Sequence, residues 1–76
     1  MNNELEKGPQ PIIDIMAVHD LRPHDLVAAS VDQITHKMIA RACRGRRLTA
    51  NVKLKVRNAL NAATAQEYTL NDLFNY

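Results

Sequence analysis

The sequence predicts an all-α fold of four helices followed by a short C-terminal helical turn. Three observations carry that prediction. Apolar residues recur at helical spacing, with none of the strict alternation that a half-buried strand requires. Pro11 and Pro23 each stand just inside the start of such a stretch, where a fixed φ suits the first helical turn. Thr35, Thr49 and Thr69 precede the later stretches as N-caps, and Gly45 is placed to end a helix. Aromatic residues are limited to Tyr68, Phe74 and Tyr76, with no Trp, so the core must be aliphatic.

The first helix is expected over residues 11–19. Ile12–Val18 is apolar except for Asp14, which covers most of the helix circumference and predicts burial on more than one side. The second is expected over 23–30, with Asp25 in the first turn favouring the helix dipole and Leu26, Ala29 and Ser30 on one stripe. After the connector 31–33 and Ile34, the third helix runs over 35–44. The fourth covers 50–63 with a core stripe of Val52, Val56, Ala59, Leu60 and Ala63. Thr69 caps a last turn carrying Leu70, Leu73 and Phe74. Residues 1–10, broken by Gly8 and Pro9, read as a disordered arm, and 11–76 as one domain. A 76-residue domain has a thin core, and pairing with a second copy is one way to stabilise it.

Charge is segregated along the chain. The net charge is +2, yet residues 1–34 hold two bases against six acids, a net −4. Residues 35–76 hold eight bases against two acids, a net +6. Between Gln33 and Gln66 there are eight basic side chains and no acidic one. Such a stretch is suited to meet a polyanion, of which nucleic acid is the commonest.

Within the third helix, Ile39 centres the buried face and Ala42 and Cys43 flank it. Thr35 and His36 lie at the margins. Lys37, Arg41 and Arg44, spaced i, i+4, i+7, fall on the opposite side. Met38 and Ala40 border that front, and Ala40 keeps it low enough for close approach. A duplex major groove about 12 Å wide admits such a helix, and Arg can grip guanine O6 and N7 together.

The stretch ITHKMIARACRG from Ile34 to Gly45, followed by RRLTANVKLKVRNAL, resembles the lambda-repressor/Cro-type helix-turn-helix family. The likeness covers residues 12–63 and is strongest over 34–60. It implies a four-helix lambda-repressor-like domain whose third helix is the recognition helix. By that resemblance His36, Lys37 and Arg41 take base-facing positions, and Ala40 meets a thymine methyl. Thr35, Arg44, Arg46, Arg47 and Lys53 fall near phosphates; Arg57 is added to this set as a further grip on the backbone. The chain departs from the family pattern at Val27, where Ala is usual, and at Arg22, where Ser or Thr usually caps the second helix. The turn before the third helix is about two residues longer than usual and has no Gly.

Other chemistries have little support. His19, His24 and His36 are spaced by five and twelve residues, and none pairs with another ligand at helical zinc spacing. Two glycines, Gly8 and Gly45, cannot build a phosphate-cradling loop, and no paired acid and base suggests an enzyme. Cys43 reads as a small core residue, although Arg44 and Arg46 beside it could lower its pKa. Leu54 falls on the wet side of the fourth helix, to pack under residues 70–76 or in a dimer contact. The first helix and Leu73, Phe74 and Tyr76 are further self-association surfaces. No apolar run reaches the ~20 residues of a membrane span, and the polar start is unlike a signal peptide. The expectation is a cytoplasmic, nucleoid-associated, sequence-specific DNA-binding regulator. It would act on double-stranded DNA, with a homodimer as a further partner, and with no cofactor, metal or small-molecule ligand. The competing class is a non-catalytic adaptor whose basic face meets an acidic protein. RNA binding is less favoured, because no aromatic in the basic stretch can stack bases.

Overall fold

A computed structural model describes residues 8–75 of the chain. Among them are five helices and no strand: α1 (Pro11–Val18), α2 (Pro23–Ala29), α3 (His36–Arg44), α4 (Ala50–Thr64) and the single turn α5 (Leu70–Leu73).

Each helix end follows from a residue that local chemistry favours there. Pro occupies the first turn of α1 and of α2. The Asp25 carboxylate accepts a 2.8 Å hydrogen bond from the Arg22 backbone N–H, so an acid in the first turn supplies the reciprocal half of a capping box where Ser or Thr is missing from the N-cap of α2. Thr35 Oγ1 accepts from Met38 N at 3.1 Å, and Thr49 Oγ1 accepts from Val52 N at 3.2 Å. Thr69 and Asp72 exchange side-chain bonds to each other's backbone N–H in a capping box that starts α5.

The C-terminal ends of α1 and α3 share one device. Asp20 (φ 56°) and Gly45 (φ 76°) are left-handed, and the next N–H turns back to the last helical turn. Leu21 N donates to Met16 O at 2.8 Å, and Arg46 N donates to Arg41 O at 3.0 Å. α4 ends one residue later than expected, at left-handed Ala65, with Thr64 Oγ1 donating back to Leu60 O at 2.9 Å.

The core is aliphatic, as the scarcity of aromatics required. Ile12, Leu26, Ile39, Ala42, Val56, Leu60 and Leu73 are fully buried, joined by Met16, Ile34, Ala59 and Phe74. Fully burying one large aliphatic side chain is worth ~1.5–3 kcal/mol, so this cluster dominates the fold's stability. α2 packs most extensively on α4, and α3 leans on both. α1 lies against α3 and α5.

Three expectations need correction. α1 is not buried on several sides. Ile12 and Met16 face the core and Ile15 is half-buried, but Ile13, Ala17 and Val18 are exposed, Val18 at 82%. A helix of eight residues touching α3 and α5 can direct only one stripe inward. Leu73 and Phe74 are core residues rather than a self-association surface, because α5 folds back onto α1 and α4. Leu54 stays 37% exposed, and the Phe74 ring is met instead by the Lys53 ammonium, 5.8 Å from its centroid.

The expected disordered arm falls partly outside the described residues. Its last three residues, 8–10, are tied down: Gln10 is 1% exposed and its N–H donates to Cys43 O at 3.0 Å. The turn between α2 and α3 works without Gly. Ser30 Oγ donates to Asp32 O at 2.8 Å and accepts from Asp32 N at 3.0 Å, which closes the bend through a hydroxyl.

Candidate nucleic-acid interface

α3 is held by its back. Ile39 and Ala42 are fully buried, and Cys43 and Met38 are half-buried against the same cluster. Met38, expected on the border of the cationic front, thus belongs to the buried side. The front carries His36, Lys37, Ala40, Arg41 and Arg44, all exposed. At 1.5 Å per residue, Lys37 and Arg44 stand about 10 Å apart along the axis, with Ala40 and Arg41 between them. No acidic residue lies on α3. Among the described residues, no carboxylate pairs with Lys37, Arg41, Arg44 or Arg47. This helix therefore projects a rigid row of solvated cations beside one small residue.

Thr35 is exposed at the start of the row. Its oxygen is engaged by Met38 N, which leaves the hydroxyl hydrogen to donate outward. After Gly45 the basic stretch continues with half-buried Arg46 and exposed Arg47. Leu48 then packs on the core, and Thr49 starts α4.

The basic residues of α4 do not extend the α3 row as a single face. Lys53 and Arg57 are one turn apart on one flank, while Lys55 lies about 160° around the axis from Lys53 at 100° per residue. All three are half-buried. Lys53 is drawn over Phe74, and Arg57 donates from Nη2 and Nε to Asn58 Oδ1 at 2.8 and 3.3 Å. The expected contacts thus divide into an open set on α3 and a set on α4 already engaged within the molecule.

Cys43 packs against the core as the expected small core residue, and not as the alternative, a thiol activated by neighbouring arginines. Burial pushes its thiol pKa up, and its Sγ rests 3.9 Å from Met16 Sδ. His19 Nε2 and the Tyr68 hydroxyl share a 3.0 Å hydrogen bond with the rings edge to face, which ties the end of α1 to the segment after α4. His24 Nε2 is 3.4 Å from Asp25 Oδ1 on the surface of α2. Among the described residues, no three His, Cys, Asp or Glu side chains converge as a metal site would require. No described helix is long and apolar enough to cross a membrane.

Two polar residues of structural weight carried no signal in the sequence. Gln10 looked like part of an arm, yet its amide is buried between Gly8 and Asn75. Asn61, half-buried on α4, brackets the Tyr68 backbone. It donates to Tyr68 O at 3.2 Å and accepts from Tyr68 N at 2.9 Å. Compared with protein-family models, curated proteins and solved structures, the chain has no significant match in any of the three.

Proposed function

We propose that this protein is a small sequence-reading DNA-binding protein of the lambda-repressor-like helix-turn-helix type, with α2 and α3 as the paired helices. The observation that carries the reading is the exposed, acid-free row Lys37, Arg41 and Arg44 on a helix whose back is packed on the core through fully buried Ile39 and Ala42. A rigid helix with a cationic crown and a small residue at its centre suits the width of the major groove.

In this reading Lys37 and Arg41 meet base edges, with Arg41 bidentate to a guanine. His36 reads at the margin, and Ala40 packs on a thymine methyl. Thr35, Arg44, Arg46 and Arg47 grip phosphates and fix the register. Lys53 and Arg57 join them by leaving Phe74 and Asn58 for the backbone. The protein acts as a transcriptional regulator, without catalysis.

The test is fluorescence anisotropy on random and selected duplexes over a salt series. Neutralising about five phosphates gives a slope of log K on log salt of roughly −4.5. Arg41→Ala costs ~1–3 kcal/mol on the selected site and relaxes one base position. Salt-insensitive binding, or capture of an acidic protein with no affinity for duplexes, would replace this reading with that of an adaptor.

A further inference from the structure

Gln10 carries the one buried polar side chain among the described residues, and through side chain and backbone it joins its own segment to two distant pieces of chain. Its Nε2 donates to Gly8 O at 3.0 Å, and its Oε1 accepts from Asn75 N at 2.7 Å across 65 residues of sequence. Its own backbone N–H donates to Cys43 O in the last turn of α3. Gly45, the left-handed residue that ends α3, is itself buried, and Gly8 O and the Gln10 amide occupy the space where a Cβ would stand. The segment 8–10 and Asn75 thus form a clasp seated on the C-terminal end of α3.

That end carries Arg44, next in sequence to the clasped Cys43 carbonyl. The opposite end of α3 is fixed separately, by Thr35 and by Ile34 in the core. Releasing the clasp would free the C-terminal turn and leave the N-terminal turn in place. We infer that Gln10 is a positioning residue for DNA reading: through Cys43 and Gly45 it sets where the C-terminal half of α3, with Arg41 and Arg44, stands relative to the groove. This inference rests on the DNA-binding reading above and adds a residue that touches no DNA. A base contact needs its donors held within about half an ångström, so a loosened turn loses discrimination before it loses charge attraction.

The experiment compares wild type, Gln10→Leu and Asn75→Pro. Leu keeps much of the buried volume and removes both side-chain bonds. Proline at 75 removes the N–H that Oε1 accepts and sets its Cδ in the hydrogen's place, so Oε1 must also move aside; Phe74 before it is already extended (φ −130°, ψ 142°), as a residue preceding proline must be. The folded fraction of each is measured by circular dichroism in a urea series. Affinity per folded molecule is then measured on the selected site and on every single-base change of it.

The expected result is about tenfold weaker discrimination at the base pairs read by the C-terminal half of α3, the worth of one good bidentate contact. Preference at the Lys37 end and the salt slope stay as in wild type. Should Gln10→Leu not fold, Asn75→Pro decides alone. Variants that are less stable but discriminate like wild type per folded molecule would overturn the inference and leave the DNA reading intact. Uniform weakening on all sequences would also overturn it. A wild-type protein that binds no duplex would overturn both readings.

Discussion

Gly45→Ala and Ala65→Gly form an opposed pair, because both positions are left-handed helix ends and only one has room for a side chain. At Gly45 a methyl group forces an L-residue into φ 76°, which costs ~1–2 kcal/mol. It also meets Gly8 O, a backbone atom, and the Gln10 amide, itself bonded on both sides. Overpacking of that kind adds ~1–3 kcal/mol. Reduced freedom of the unfolded chain returns ~0.4–1 kcal/mol. The net loss is about 1.5–4 kcal/mol, a large part of the stability of so small a domain. At exposed Ala65 (φ 58°) the same strain is already present, so glycine relieves ~1–2 kcal/mol against a similar unfolded-state cost. The net gain is about 0.5–1 kcal/mol. Urea unfolding followed by circular dichroism measures both changes. Repeating Gly45→Ala in a Gln10→Ala background isolates the part of the overlap due to the Gln10 amide; the overlap with Gly8 O and the strain remain. A Gly45→Ala loss under about 0.5 kcal/mol would show that segment 8–10 does not press on the end of α3, and the argument from close approach would fail.

Asn61→Ala removes both hydrogen bonds that hold the Tyr68 backbone; the expected cost is ~1–3 kcal/mol in urea unfolding, with faster hydrogen exchange at the Tyr68 amide. Thr35→Val removes the cap of α3 and should cost about 1 kcal/mol in the same assay, and it also deletes the hydroxyl offered to phosphate. Cys43 gives a pH prediction. Its folded pKa is raised by burial, so the unfolded chain loses the thiol proton first. Stability is whole below the ordinary thiol pKa of about 8.5 and falls as pH rises through the interval above it. Cys43→Ser would flatten that alkaline limb, and alkylation of native Cys43 near pH 8 would be slow until urea is added.

What could be read from the sequence was what short-range rules decide. The three Thr caps, the proline starts and the Gly45 stop depend on contacts within four residues, and all occur where the chain predicts them. The cationic front of α3 follows from periodicity alone once Ile39 and Ala42 face inward. The misses are non-local. Composition says that α1 is apolar all round, but only the placing of α3 and α5 decides which stripe is covered. Nothing near Gln10 announces a partner 65 residues away. Nor does spacing say that Lys53 will turn toward Phe74, since that ring comes to α4 only after α5 folds back.

The charge segregation shows how a one-dimensional pattern persists in three dimensions. Three described acids of the first half, Asp20, Asp25 and Asp32, stand in turns close to home. Asp20 adopts the left-handed turn after α1, Asp25 bonds the N–H that precedes α2, and Asp32 is held in the Ser30 turn. Each takes part in the structure of its own helix end, and among the described residues none reaches across to pair with α3. Among the described residues the basic row of α3 is thus left without a carboxylate partner. An acid placed on that row tests the point. Ala40→Glu sits three residues after Lys37 and four before Arg44 at an exposed position, so it should leave folding nearly unchanged while pairing locally with those two cations. If duplex affinity then survives at wild-type strength and salt slope, the unpaired charge of α3 is not what the protein uses.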